Sequence, residues 1–427
     1  MAQVSNSPNN REVPSILDKM TLLPSDKVLG VIIALLFVLS LIVVYSSSAN
    51  VAYRHGVSTE LFLRRHIITL AITAGVMIVA YVFPLKWVRK LTWLAYAVSL
   101  VATIAAYFIG DGSGEDALRT LELGSFKFQP SELLKVATVM VVANQLSKFH
   151  TEISKIHLLP TTFNVKKWWT DLKERSIIMD EMIPTLLPPA LACAVILPAH
   201  TSSAVILFLI VMIMLYVAGI RKREIAKIII AAMVVATPII IVGFRGDTVM
   251  GRVSRTFTDV DYSSEKKNKI DKYSDSFRAR MAMHKGGPLG VGAGHSVVRG
   301  RLTHPESDYL FGIVVEELGS IIAVIIILLY LWIFFRSIRI FDNCPWLYAG
   351  LLVLGLALII IIHAFIHIGV SLGCIPETGQ NLPFLTQGRS SMLVTGGIIG
   401  LILGISRQVQ RGTLTPNGGK STSQQKL

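Results

Sequence analysis

The sequence predicts an all-α polytopic membrane protein with about ten transmembrane helices. Three observations lead there. The 427 residues are 52% hydrophobic and 16% charged, whereas a soluble protein averages about 25% charged. The mean hydropathy is +0.59, and this many apolar residues fill roughly ten spans of about 20 residues each, with little left for a soluble core. The basic residues, finally, sort by loop as the spans require.

Taken in order, the first span is Val28 to Tyr45, eighteen residues without a charge. It is too long for the apolar region of a signal peptide and lacks a small-residue cleavage site, so it reads as a retained helix. His66 to Phe83 and Leu91 to Ile109 follow, then Ser131 to Ser147, entered through Pro130 at a position where a missing N–H costs nothing. The fifth span, Ile183 to Leu197, is short, and Pro184, Pro188 and Pro189 predict an irregular entry. Ser202 to Gly219, Ile225 to Phe244, Tyr309 to Phe335, Trp346 to Ser371 and Ser390 to Ile405 complete the set.

With the N-terminus in the cytoplasm, the cytoplasmic stretches hold 22 Lys and Arg and the short outer loops six. Both termini are therefore expected in the cytoplasm. The net charge of +14 follows from topology and is no sign of nucleic acid. The predicted organisation is a cytoplasmic segment 1–27, a membrane domain 28–406 with a long outer loop 245–308, and a cytoplasmic, disordered tail 407–427. The outer loop holds 12 basic residues, among them Lys266, Lys267, Lys269, Lys272, Arg278, Arg280 and Lys285. It reads as a solvated surface or as one facing anionic lipid or phosphate. The glycines that follow, Gly286, Gly287, Gly290, Gly292 and Gly294, fit neither a Walker nor a dinucleotide fingerprint. Cys193, Cys344 and Cys374 are scattered and give no disulfide framework.

Charges at membrane depth are costly, about 2.5 to 3.5 kcal/mol each on insertion scales, and are functional candidates by default. Glu132 and Lys135 stand three apart on one helical face and can pair. Asp308 falls at the outer mouth of the eighth span, where it suits either an N-cap or a functional acid. Glu316 and Glu317 lie about two turns deeper and need Arg, Lys or hydrogen-bond partners, for which Lys135 or Arg119 are available. His363 and His367, four apart with no third ligand nearby, favour interhelical hydrogen bonds over a metal. Before the last span, the prolines and glycines of Pro376 to Ser391 suggest a partly re-entrant wall around a cavity.

These clusters resemble the SEDS family, which includes FtsW, RodA and SpoVE. The resemblance runs from Tyr45-Ser46-Ser47-Ser48 to the last helix. It is carried by Gln129-Pro130-Ser131-Glu132 with Lys135, by Pro305 to Phe311 with Glu316-Glu317-Leu318-Gly319, and by the Pro-x-Thr-Gly-x-x-Leu-Pro-Phe loop ending Gly388-Arg389-Ser390-Ser391. The family's topology, ten spans with both ends in the cytoplasm, is the one reached above from the residues alone. The chain departs from the family pattern in four places: Thr120 follows Arg119 where Trp is common, His200 stands in a stretch that usually holds an acid, His363 and His367 match a Gln and an Asn, and Arg389 interrupts a common Gly-Gly-Ser-Ser.

The resemblance implies a peptidoglycan glycosyltransferase that polymerises lipid II at the outer face of the bacterial cytoplasmic membrane. The form of the last loop leans toward the family's cell-division members and hence the septum. Asp308 matches the family's essential acid, as base or as ligand of a divalent cation such as Mg2+ or Mn2+. Lys135, Arg119 and Arg389 would face the substrate's phosphates, with Glu132 orienting Lys135, and with Gln129 and Ser390 also in the substrate site. The implied partners are lipid II, a class B penicillin-binding protein transpeptidase and other divisome proteins. Two other readings stay open: a lipid II flippase, and a non-catalytic scaffold for a transpeptidase.

Overall fold

The structure is a computed structural model and describes residues 26–54, 58–109, 120–123, 126–148, 183–242, 275–296, 308–412 and 414. The described helices are α1 (Lys27–Arg54), α2 (Thr59–Val82), α3 (Leu85–Ile109), α4 (Pro130–Lys148), α5 (Ile183–Ile196), α6 (Thr201–Val217), α7 (Lys222–Val242), α8 (Asp275–Gly286), α9 (Leu310–Asp342), α10 (Leu347–Ser371) and α11 (Arg389–Gln410). A short antiparallel hairpin, β1 (Leu121–Leu123) and β2 (Phe126–Phe128), precedes α4 and pairs Leu121 with Phe128. The segments 1–25 and 415–427 lie outside the described residues.

Each of the ten predicted spans coincides with a helix. Among the described residues six are long and apolar enough to cross a membrane, namely α1, α2, α3, α9, α10 and α11, while α5 and α6 are shorter apolar helices. Several helices outrun their apolar windows. α2 begins at Thr59 and takes in Arg64 and Arg65, and α9 continues to Asp342 through residues expected in a loop. Backbone hydrogen bonding does not stop where hydrophobicity does, and charged residues sit well in the terminal turns. α5 is continuous through Pro188 and Pro189 rather than irregular. Neighbouring tyrosines support it: the Tyr96 hydroxyl donates to the Pro188 carbonyl at 2.7 Å and the Tyr107 hydroxyl to that of Val195.

The bundle is organised around α4 and α10. On α4 every residue from Ser131 to Leu146 is buried except Leu133. α10 is similarly enclosed, with α4, α6, α8, α9 and α11 packed against it. The peripheral helices bury one side only. On α1, Leu29, Ile32, Ile33 and Leu36 face the bundle, while Val31, Leu35, Val38 and Ile42 form an exposed apolar stripe at helical spacing, as a lipid-facing helix requires. This division lets α4 carry polar residues at membrane depth, because its surroundings are protein.

α11 packs along α2 through Gly396, Gly400 and Gly404, spaced by four. A Cβ at any of them would fall within 3.0 Å of Thr73, Met77 or Tyr81, so the absent side chains set the backbone separation. At one end of the bundle Arg336 holds Asp26 through two guanidinium nitrogens at 2.7 and 2.8 Å, tying the start of α1 to the end of α9. The polar site lies toward the other end.

The described part of the predicted outer loop keeps Arg280 and Lys285 exposed but is built into the bundle on its other side. α8 packs on α9, with Ala279 and Ala282 fully buried. The glycine-rich chain after it inserts where α9 is interrupted at Gly319, whose φ of 86° and ψ of 166° are not helical. There Val291 and Gly292 N–H donate to the carbonyls of Glu316 and Glu317 at 2.9 and 3.0 Å, and Ser320 N–H returns to Gly287 O at 2.9 Å. Gly290 and Gly319 both have positive φ, and a Cβ on either would collide with the facing backbone. From Leu310 to Gly319 is about 14 Å along the axis at 1.5 Å per residue, so this segment is re-entrant. The strongly basic stretch 266–272 lies outside the described residues.

Candidate active site

Lys135 is 0% exposed. Its ammonium donates to Glu132 Oε1 at 2.8 Å and to His363 Nε2 at 2.7 Å. The first contact is the i, i+3 pair read from the sequence, and the second comes from α10. The His363 Nδ1 lies 2.6 Å from the Ile359 carbonyl, which fixes a neutral ring with Nδ1–H donating and the Nε2 lone pair facing lysine. A buried cation is tolerated when it is paired and hydrogen-bonded, and both conditions are met here.

One turn along α10, His367 repeats the arrangement. Its Nδ1–H donates to the Gln380 carbonyl at 2.8 Å, and its Nε2 accepts from the Phe311 backbone N–H at 3.4 Å. The two histidines thus form interhelical hydrogen bonds, and among the described residues no group of three His, Cys, Asp or Glu could hold a metal. Gln380 is the hub of the network. Its side chain reaches the His363 ring and donates to Ser203 Oγ at 3.1 Å; Ser203 donates to His200 Nδ1 at 2.7 Å, and His200 Nε2–H donates to the Thr378 carbonyl at 2.9 Å.

The same logic holds the rest of the loop between α10 and α11. Tyr330 donates to the Pro383 carbonyl, and Ser40, itself bonded to His66 at 2.8 Å, donates to that of Phe384 at 2.6 Å. Four carbonyls of an irregular segment buried in the bundle are therefore met by side chains of helices or of the residue that opens one. Non-helical backbone at membrane depth survives only under that condition. Phe384 adopts a φ of 65°, unusual for a bulky residue, and its ring packs edge-on against Phe37.

Asp308 stands two residues before α9, half-buried. It is not the N-cap: that position is Tyr309, which makes no side-chain capping bond and whose hydroxyl donates to Glu377 at 2.6 Å. Among the described residues the Asp308 carboxylate has no hydrogen-bond or ion-pair partner, although its charge is felt at the His367 ring. A chain of contacts, Glu132, Lys135, His363, Gln380 and His367, thus runs from the buried ion pair toward Asp308, which acts on its last ring through charge alone.

Of the partners expected for Glu316 and Glu317, Lys135 is engaged with Glu132 and His363, and Arg119 lies outside the described residues. Glu316, fully buried, accepts from Ser296 and has Lys285 at 4.0 Å; Glu317 accepts from Ser46, which in turn accepts from Gly294 N–H at 2.9 Å. These donors come from the re-entrant segment and the far end of α1, residues that no spacing rule connects to α9. Gln129 is half-buried beside the hairpin, its carbonyl accepting from Glu132 N–H at 3.2 Å. Arg389 and Ser390 open α11, half-buried and buried. His200, Ser203, Gln380, Ser40 and His66 were missed as network members. The one signal for them is general: buried side-chain donors at membrane depth pair with the carbonyls of an irregular loop.

Residues 26–411 match the family described as cell cycle proteins, the FtsW, RodA and SpoVE group. A probable peptidoglycan glycosyltransferase FtsW of Bacillus subtilis is 26% identical over 391 residues, spanning 88% of this chain and 89% of the relative. The stage V sporulation protein E of the same organism is 27% identical, over 90% and 97% of the two chains. Among solved structures, a chain of a peptidoglycan synthase complex superposes with a TM-score of 0.63 at 18% identity, covering 90% of this chain and 98% of that one. The rod shape determining protein RodA of Thermus thermophilus gives 0.59 at 18% identity, covering 90% and 97%.

Proposed function

The chain belongs to the FtsW, RodA and SpoVE family of cell cycle proteins, and from that premise we propose that it is a peptidoglycan glycosyltransferase polymerising lipid II. The observation that carries the reading is the state of Asp308. It is a carboxylate free of partners among the described residues, and the chain that follows it is held in place, Tyr309 by its hydroxyl to Glu377 and Phe311 by its N–H to His367.

Glycan polymerisation joins the 4-hydroxyl of one sugar to the anomeric carbon of another while an undecaprenyl pyrophosphate leaves. The hydroxyl must give up a proton as it attacks, and the half-buried Asp308 carboxylate, without a partner among the described residues, is suited to take it. The leaving group gathers negative charge and is stabilised by fixed positive charge placed beforehand. Lys135, being fully enclosed, supplies field rather than direct contact; phosphate contact falls to Arg389 at the head of α11 and to Arg119. Glu132 and His363 keep the Lys135 ammonium in one place. Gln129 and Ser390 belong to the same substrate site.

A divalent cation suits this donor set as a companion of the substrate. A Mg2+-like ion commonly takes one or two protein carboxylates and completes its shell with phosphates and water. Asp308 would hold it, and it would neutralise pyrophosphate charge.

The protein acts as a multi-pass component of the bacterial cytoplasmic membrane, with Asp308 on the outer side, both termini in the cytoplasm, and the septum as its place of work. A class B penicillin-binding protein transpeptidase and other divisome proteins are its partners. The likeness to a chain of a peptidoglycan synthase complex supports assembly with a crosslinking enzyme.

The test is purified protein, with and without the transpeptidase, incubated with lipid II and Mg2+ or Mn2+. Wild type is expected to yield glycan polymer and Asp308→Ala none. Equal synthesis by both would remove Asp308 from catalysis, whereas lipid II translocation in vesicles without polymer would replace the enzyme by a flippase.

A further inference from the structure

The first turn of a helix leaves backbone N–H groups that no preceding turn can satisfy. In α9 the N–H groups of Gly312 and Ile313 turn back to the Tyr309 carbonyl at 3.0 and 3.4 Å. Tyr309, the N-cap, spends its hydroxyl on Glu377. The Phe311 N–H instead crosses to another helix and donates to His367 Nε2. Asp, one of the best capping residues, stands one position earlier, at Asp308. If the helix began one residue sooner, Asp308 would be the N-cap and Phe311 the N3 position, whose N–H an N-cap side chain accepts. His367 and Asp308 are therefore alternative acceptors for one donor.

We propose that His367 is a positioning residue for Asp308: it caps α9 from α10 and so keeps the catalytic carboxylate from being consumed as an ordinary helix cap. The assignment rests on the glycosyltransferase reading for its functional half only. The ring is built for the role. It is 1% exposed, so water does not compete for its lone pair. Its Nδ1–H is pinned to Gln380 O at 2.8 Å, which sets the tautomer that leaves Nε2 able to accept. Gln380 is itself fixed through Ser203 and His200, so the cap is braced from α6 as well. Asp308 lies near enough for its charge to act on the ring.

Two readouts test this. In amide hydrogen exchange of the full-length protein in detergent, His367→Leu and Asp308→Ala are each expected to keep the first turn of α9 protected, since the remaining acceptor takes the Phe311 N–H. The double variant should exchange there about tenfold faster, the loss expected of a missing cap, with Ile321 to Asp342 unchanged. In polymerisation assays His367→Leu should lower kcat about tenfold or more with the lipid II KM within about threefold, because Asp308 is then drawn into the cap. His367→Gln, which keeps one donor and one acceptor and controls for folding, should restore most of kcat. A double variant as protected as wild type, or a His367→Leu enzyme with undiminished kcat, overturns the proposal. If wild type makes no polymer, the exchange cycle still decides the cap, and only the glycosyltransferase reading fails.

Discussion

Removing one member of the buried Glu132–Lys135 pair should cost far more than removing both. At 2.8 Å and an effective dielectric of about 20, the Coulomb attraction is roughly 6 kcal/mol. Taking the two ions out of water costs several kcal/mol each, so the pair is close to neutral against an apolar replacement. Stripping the carboxylate from Lys135, whose side chain is 0% exposed, leaves an ammonium with only the neutral His363 acceptor. Glu132→Leu is then expected to lose about 4 kcal/mol and Lys135→Met about 3 kcal/mol, within the range for half-broken buried pairs. Glu132→Gln, which retains an acceptor, should lose about 2 kcal/mol. The double variant Glu132→Leu with Lys135→Met should lose no more than about 1 kcal/mol, a coupling of roughly 6 kcal/mol. The assay is equilibrium unfolding in mixed micelles, followed by tryptophan fluorescence. The folded double variant should nonetheless be inactive in glycan synthesis, since the fixed charge is gone. A coupling below about 0.5 kcal/mol would refute the reasoning, because the two groups would then be energetically independent.

The α2–α11 contact predicts that Gly400→Ala loses about 1 to 3 kcal/mol by overpacking against Met77, while Gly397→Ala, whose Cβ meets only Val76 at 3.7 Å, stays within about 0.5 kcal/mol; the same unfolding assay reads both. Gly290→Ala should undock the re-entrant segment from α9 and make residues 275–296 susceptible to limited proteolysis, whereas Gly294→Ala, strained at φ 84° but in open space, should leave the segment docked. Orientation can be read from thiols. A membrane-impermeant maleimide should label exposed Cys374 in intact cells, and Cys344 only after permeabilisation. Burial pushes the Cys344 thiol up, so less of it is thiolate at neutral pH and its labelling should accelerate as pH rises. Cys344 labelled first from outside would invert the proposed topology.

Much of this molecule was legible before folding was considered. Apolar run length located a helix at each of the ten predicted segments, six of them long and apolar enough to cross a membrane among the described residues, because lipid imposes a length and leaves an unsatisfied backbone no other recourse. The Glu132–Lys135 pair followed from helical spacing, which is local. His363 and His367 were correctly expected to bond between helices, though not to which donors. Glu316 meets Lys285 and Ser296 because a glycine-rich chain enters the break at Gly319, and the sequence showed of those glycines only that they fit no nucleotide-binding fingerprint.

What the sequence by itself determined is the solvent: a chain this apolar must put its helices in lipid, and each charge kept at depth must have a partner. What only the tertiary structure decided is which partner. Lys135 with His363, Gln380 with Ser203, and Phe311 with His367 are separated by 228, 177 and 56 residues. No periodicity reaches that far. Burial makes each such bond obligatory, since a buried donor without an acceptor costs more than the bond itself contributes. Only the packing of the helices chooses the acceptor, and among the described residues it gives the Asp308 carboxylate none of these donors.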